Sequence, residues 1–168
     1  MIAMNSVVLI AHNLRSTHNV GSLLRTAEGL GVNKTYLTGY TPYPSTDTDT
    51  RLPHIARKLD KQISKTALGA ENMLDWDHSV DLPALINELK LQGFTVVGLE
   101  QTPDSKQLPS YKPADKLALI VGREAEGIEP EILALCDETV EIPMRGSKES
   151  FNVVQAAAMA LYQITLRR

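Results

Sequence analysis

Three short runs are apolar at nearly every position: residues 6–11 (SVVLIA), 94–99 (FTVVGL) and 117–121 (LALIV). A strand of that kind has no face to give to water, so both of its faces must be covered. Segments with helical spacing lie between and around these runs. Alternation of the two is the signature of an α/β domain, a mostly parallel sheet with helices on both faces. A chain of 168 residues fits one domain, 1–168, and no internal repeat or shift in composition marks a second.

Along the chain, Asn19 is placed to cap a helix over residues 20–30. Its Val20, Leu23, Leu24 and Ala27 follow i, i+3, i+4, i+7 and form a core stripe. Arg25 lies off that stripe. Gly21 and Ser22 sit one turn before it, which leaves a cation with small neighbours and room for a ligand. Gly29 or Gly31 ends the helix, and a strand over 34–38 follows. Residues 39–53 (GYTPYPSTDTDTRLP) form a long irregular loop, and loops of that length tend to be lids, binding loops or disordered. A helix over 54–64 carries Arg57, Lys58 and Lys61, with Lys65 just beyond. Arg57, Lys61 and Lys65 share a face, which fits a solvated surface as well as a phosphate-contacting patch. Residues 73–76 read as a short strand. Residues 82–91 read as an amphipathic helix ended by Gly93, and 103–116 as an irregular connection. A short helix over 130–136 and a strand over 139–142 come next. The chain closes with a loop containing Pro143 and Gly146, then an Ala-rich helix over 152–166. That helix is apolar nearly all round, so it is expected to be buried all round. Ser150 and Asn152 at its start suit capping.

Ligands of parallel sheets bind beyond the carboxyl ends of the strands. Three chemically loaded loops fall there: 100–102, 122–127 and 143–152. Several chemistries are excluded. No G-x-G-x-x-G follows the first strand, and Ile128 stands where a P-loop needs Lys. There is no G-x-S-x-G elbow. The four His are scattered, so no metal site is expected. Glu124 and Glu126 would point to opposite sides of an extended loop, against a paired-carboxylate glycosidase. No apolar run approaches ~20 residues, so no membrane span is expected. The N-terminal apolar run reads as a strand rather than a signal peptide. The single cysteine, Cys136, excludes an internal disulfide, fits a reducing cytoplasm and reads as a buried structural thiol. The net charge is −3 but uneven: residues 1–70 hold eight Lys/Arg against four Asp/Glu, and 71–168 hold nine against sixteen. A local basic patch can serve RNA even in an acidic chain.

Three segments resemble one family in its own order. They are Asn19-x-Gly21-x₃-Arg25-Thr26-Ala27, then Ile120-Val121-Gly122-Arg123-Glu124-x₂-Gly127-Ile128, then Ile142-Pro143-Met144-x-Gly146-x₃-Ser150-Phe151-Asn152-Val153. Together they resemble the SpoU (TrmH) class of RNA 2′-O-ribose methyltransferases, within the SPOUT superfamily. The resemblance implies a C-terminal deep trefoil knot in residues 117–168, which physics could not have read from the sequence because knots are so rare. It implies S-adenosylmethionine (SAM) as cofactor, held by Leu99, Glu100, Gln101, Gly122, Arg123, Glu124, Gly127, Ile142, Met144, Ser150 and Phe151. It implies a homodimer, with one side of the last helix on the core and the other on a partner, and Arg25 brought near the partner's cofactor.

By the same resemblance Arg25 is the catalytic group, and Asn19, Glu124, Ser150 and Asn152 position it, the substrate or the cofactor. Free arginine is a poor base, so the role expected of Arg25 is to stabilise the developing alkoxide. Arg15, Arg51, Arg57, Lys58, Lys61 and Lys65 are expected to contact phosphates. The 2′-hydroxyl requirement makes the partner RNA and not DNA. The stretch GFTVVGLEQTPDS looks most like relatives acting on a tRNA guanosine ribose, with rRNA second. Arg123 stands where Asn is common and Phe151 where Leu is common, which implies altered packing beside the cofactor. Two other readings remain: a catalytically silent RNA-binding or assembly factor of the same fold, and an unrelated α/β nucleotide-binding module.

Overall fold

The sheet is built from β1 (Ser6–His12), β2 (Lys34–Thr38), β3 (Trp76–Ser79), β4 (Thr95–Leu99), β5 (Lys106–Gln107), β6 (Lys116–Val121) and β7 (Glu138–Glu141). A computed structural model describes residues 6–166. The ends of the 1–168 domain, residues 1–5 and 167–168, lie outside the described residues. The seven strands run β3-β2-β1-β6-β4-β7-β5, and every pairing is parallel. The helices are α1 (Thr17–Gly29), α2 (Pro53–Ala67), α3 (Leu82–Leu91), α4 (Pro130–Leu133) and α5 (Val153–Leu166).

The expectation of two covered faces is met, and pleating explains how. Side chains alternate along each strand. Val7, Leu9 and Ala11 of β1, with Leu117, Leu119 and Val121 of β6, face one core shared with α1, α2 and α5. Val8 and Ile10, with Ala118 and Ile120, face a second core closed by α3 and by Ile128 and Ile132. The register Leu9↔Leu119 and Ile10↔Ile120 keeps like faces together.

Several local expectations shift. Ser16, not Asn19, caps α1: its hydroxyl accepts the Asn19 N–H at 3.1 Å. Residues 70–72 form a 3₁₀ turn, and the strand expected at 73–76 is β3, at Trp76–Ser79. The connection 103–116 contains β5 and a 3₁₀ turn at Leu108–Ser110. The expected helix at 130–136 is only one turn, α4. The last helix is not buried all round. Ala157, Ala160, Leu161 and Ile164 are buried, while Met159 is 37% exposed and Tyr162 57%.

Gly21 is also corrected. A Cβ there would lie 2.1 Å from Thr66 Oγ1 and 2.3 Å from the Ile63 carbonyl oxygen. It is the contact point of α1 on α2, not a space for ligand beside Arg25. Because one of the clashing atoms is backbone, Gly21→Ala must separate the helices. It is expected to lower stability by ~1–3 kcal/mol or more, read as a lower urea midpoint.

Candidate functional site

Strands β6, β4 and β7 are neighbours, so the loops leaving their carboxyl ends meet. They enclose a cleft of about 260 Å³. Leu99, Glu100 and Gln101 line it from β4. The loop from Gly122 to Gly127 lines it from β6, and Ile142, Glu149, Ser150 and Phe151 after β7. Val153 and Ala156 of α5 complete the wall. Every residue expected around a cofactor lines this cleft except Met144.

Two glycines let the walls approach. The β6 loop closes on itself through the Arg123 N–H to the Gly127 carbonyl at 3.1 Å and the reverse bond at 3.0 Å. A Cβ on Gly122 would lie 2.6 Å from the Gly127 carbonyl carbon. Gly127 has φ +73°, and a Cβ there would lie 2.0 Å from Glu100 Oε2. That oxygen accepts the Ile128 N–H at 3.0 Å, so the β4 loop is tied to the β6 loop. Gln101 Nε2 donates to the Glu149 carbonyl at 2.9 Å and ties β4 to the third loop. The unusual Arg123 folds back, with Nε 3.4 Å from the Gly127 carbonyl oxygen and 3.7 Å from Glu129 Oε1.

Asn19, Glu124 and Asn152 come together at one edge. The Glu124 carboxylate accepts the backbone N–H groups of Arg15 (3.1 Å) and Ser16 (3.0 Å) and Asn19 Nδ2 (3.3 Å). It therefore occupies the positive N-terminus of α1. Asn19 Oδ1 faces Asn152 Nδ2 at 3.5 Å, and Asn152 Oδ1 caps α5 through the Val154 N–H at 2.9 Å. Burial opposes ionisation of Glu124, but the bonds from Ser16, Arg15 and Asn19 outweigh it and hold its carboxyl below the usual range. Glu124 is a strut rather than a proton acceptor. A carboxyl whose pKa is depressed on folding stabilises above its unfolded value of ~4.3, and that contribution is lost as pH falls through the folded pKa. Glu124→Gln is therefore expected to be less stable than the parent at pH 7, by ~0.5–1.5 kcal/mol after solvent screening of this part-exposed carboxylate, and the gap in urea midpoint should close on acidification below ~4.

Ser150 lines the cleft and is exposed. Arg25 does not line it. It is exposed on α1 and makes no hydrogen bond or ion pair among the described residues. The fold thus gathers four of the five expected catalytic residues and leaves Arg25 outside the chain's own cleft.

The expected phosphate contacts divide. Arg57, Lys58, Lys61 and Lys65 are exposed on α2 and in no ion pair among the described residues. Arg15 is exposed, with its guanidinium 3.2 Å from Glu126 Oε1. Arg51 is committed elsewhere. Its guanidinium lies 3.6 Å from the centre of the Tyr43 ring, pairs with Asp49, and donates to the Tyr43 and Pro44 carbonyls at 2.9 and 3.0 Å. It braces the 39–53 loop rather than offering a free cation. Cys136 is half-buried, and burial pushes its thiol up to about 11, as suits a structural cysteine.

One cluster had no signature in the sequence. Asn13 Nδ2 donates to Glu129 Oε1 at 2.7 Å and to His12 Nε2 at 3.1 Å, while His12 Nδ1 bonds Thr38 Oγ1 at 2.9 Å. Burial lowers the His12 pKa, which keeps the ring neutral and able to accept from Asn13. Among the described residues no group of three or more His, Cys, Asp or Glu is placed to hold a metal ion. No helix among them is long and apolar enough to cross a membrane.

Residues 6–162 match the family described as the SpoU rRNA Methylase family. A Staphylococcus aureus (strain MSSA476) protein named for the TrmH family of tRNA/rRNA methyltransferases is 29% identical over 163 residues, covering 97% of this chain and 60% of that protein. The chain therefore spans about 60% of the length of such curated relatives. The SpoU methyltransferase AviRb from Streptomyces viridochromogenes, in complex with the cofactor AdoMet, superposes with a TM-score of 0.80 at 20% identity, over 98% of this chain and 58% of that one. An RNA 2′-O ribose methyltransferase structure superposes with a TM-score of 0.76 at 24% identity, over 98% of this chain and 57% of that one. At these identities the two superpositions establish the fold alone.

Proposed function

The chain belongs to the SpoU rRNA Methylase family, and from that premise we propose that it transfers a methyl group from SAM to a ribose 2′-hydroxyl of RNA, with tRNA favoured over rRNA. The observation that carries this reading is the convergence of the second and third sequence motifs on one cleft, with the glycine cradle at its centre. The residues present fit SAM. Leu99, Ile142, Phe151 and Val153 offer apolar walls for an adenine, and the β4 and β6 loops offer backbone groups at close range. SAM, when bound, supplies an electrophilic methyl on a sulfonium. This chain's part is to hold the acceptor ribose in line and to stabilise its developing oxyanion.

We assign the second task to Arg25, acting in the cleft of a second copy of the chain. Support comes from its position outside its own cleft and from the surface beside it. Thr26 and Gly29 of α1 and Leu30 at its C-terminal end, with Ala158, Met159 and Tyr162 of α5, form an exposed and largely apolar groove. In a symmetric homodimer that groove would be covered, and one protomer's α1 would approach the other's cleft. Asn19, Asn152 and Glu124 would fix the loops around the acceptor. The strand order, with β6 and β7 on either side of β4, is compatible with the knot that the resemblance implies for residues 117–168. A cytoplasmic location would go with an RNA substrate of this class.

Transfer of labelled methyl from SAM to unmodified tRNA and rRNA in parallel, followed by nucleoside mass spectrometry, tests the reading. A 2′-O-methylnucleoside from either pool is the expected product. SAM binding with no transfer to any RNA would favour the silent-factor alternative.

A further inference from the structure

A second concavity of about 450 Å³ adjoins the cleft. It is lined in part by Arg15, Thr17, Tyr40, Tyr43 and His78. Arg15 lines this second hollow and ties it to the first: its backbone N–H donates to Glu124 and its guanidinium reaches Glu126. Both glutamates line the first cleft.

The two tyrosines differ in availability. The Tyr43 ring carries the Arg51 guanidinium at 3.6 Å, and His78 stacks on it with centroids 4.0 Å apart and planes at 18°. Both faces of that ring are taken. Tyr40 is 53% exposed, and no ring stacks on it among the described residues. Its backbone is nevertheless fixed. The Tyr40 N–H donates to Asn13 Oδ1 at 3.1 Å. Asn13 sits at φ 56° and the adjoining Gly39 at φ 64°, where a Cβ would lie 1.9 Å from the same oxygen. Left-handed backbone at a non-glycine residue persists only where the surroundings enforce it. Here Asn13 is enforced by Glu129 and His12. A rigid polar mount thus presents one open aromatic face beside a cation, since Tyr40 and Arg15 line the same hollow.

An open aromatic face next to a guanidinium matches a nucleobase and its phosphate. A base inside a duplex cannot present its face to such a ring. We propose that Tyr40 and Arg15 form a subsite for an unpaired RNA nucleotide flanking the methylated one, with its base stacked on Tyr40 and its phosphate on Arg15. This subsite rests on the reading of the chain as an RNA methyltransferase.

The test compares Tyr40→Leu, Tyr40→Phe and Arg15→Gln with the parent. Binding is read with a labelled short oligouridylate and with a blunt RNA duplex, and transfer kinetics with the tRNA pool. Tyr40→Leu should weaken oligouridylate binding roughly 5- to 100-fold and raise KM for RNA with little change in kcat. Tyr40→Phe should bind as the parent does, and duplex binding should be unmoved by either change. Arg15→Gln should reduce the salt dependence of binding by about one phosphate contact. Tm and SAM binding in each variant control for folding. Unchanged oligouridylate binding by Tyr40→Leu, or an equal loss in Tyr40→Phe, would overturn the subsite while leaving methyl transfer by the parent intact. A parent that neither binds nor methylates RNA would overturn the underlying reading, and the subsite with it.

Discussion

Arg25→Ala is expected to fold, to bind SAM as the parent does, and to lose methyl transfer by on the order of 10²–10³-fold in kcat. The three parts of that result have separate causes. Arg25 is exposed, off the buried stripe of α1, and without a hydrogen bond or ion pair among the described residues. Its removal should therefore change stability by no more than ~0.5 kcal/mol. It does not line its own chain's cleft, and its proposed place in the partner's is at the acceptor ribose rather than the cofactor, so SAM affinity should hold. On the proposed reading the loss falls on the step in which negative charge would grow on the ribose oxygen, where a preorganised guanidinium would stabilise the transition state more than the ground state. Arg25→Lys keeps the charge but not the planar fork and should recover only part of the rate. Denaturation, calorimetry with SAM and single-turnover transfer measure the three parts separately. Normal transfer by Arg25→Ala would remove Arg25 from the chemistry.

The parts of the fold that were legible are those where burial writes a period into the sequence. Strands β1, β4 and β6 are covered on both faces and read as apolar runs, and the stripe of α1 is buried at each expected position. Strands β3 (WDHS) and β5 (KQ) are the edges of the sheet, where polar residues are tolerated, and neither carries that pattern. The cap of α1 was misplaced because Ser16 and Asn19 are both competent caps, and the choice is tertiary: the Asn19 side chain is engaged by Glu124. Gly21 matched its motif but not its purpose, because a glycine's role depends on the helix packed against it. The cleft was legible because buried parallel strands point to their own carboxyl ends. Arg51 was misread for the opposite reason, since nothing in a Pro- and Asp-rich loop shows that Tyr43 and Asp49 will hold it. The Asn13–Glu129 bond joins residues 116 positions apart, and no local period reports such a contact.

Tyr162→Glu is expected to yield a monomer and to lose transfer on the same order as Arg25→Ala, ~10²-fold or more, while still binding SAM. Tyr162 is 57% exposed and Met159 37% exposed on a helix whose other side is fully packed. An apolar surface of this kind costs free energy in water, and a second copy of α1 and α5 would remove that cost. A carboxylate placed there would have to be desolvated without a partner, which disfavours association but not folding, because the residue faces water in the monomer. The loops expected to hold the cofactor all belong to one chain, so cofactor binding should survive. Sedimentation and transfer assays read the two losses together, and a monomer with full transfer would sink the shared site. Mixing two inactive proteins then locates Arg25. Ser150→Trp should fill the cleft from an exposed position that bonds nothing among the described residues. Arg25→Ala leaves the cleft open but without its cation. After exchange of subunits, half of the dimers are mixed, and each of these holds one cleft that is open and faced by an intact Arg25, so about a quarter of parental activity should return. If Arg25 instead served its own chain, every mixed dimer would have one site without its cation and one that is blocked, and no activity would return.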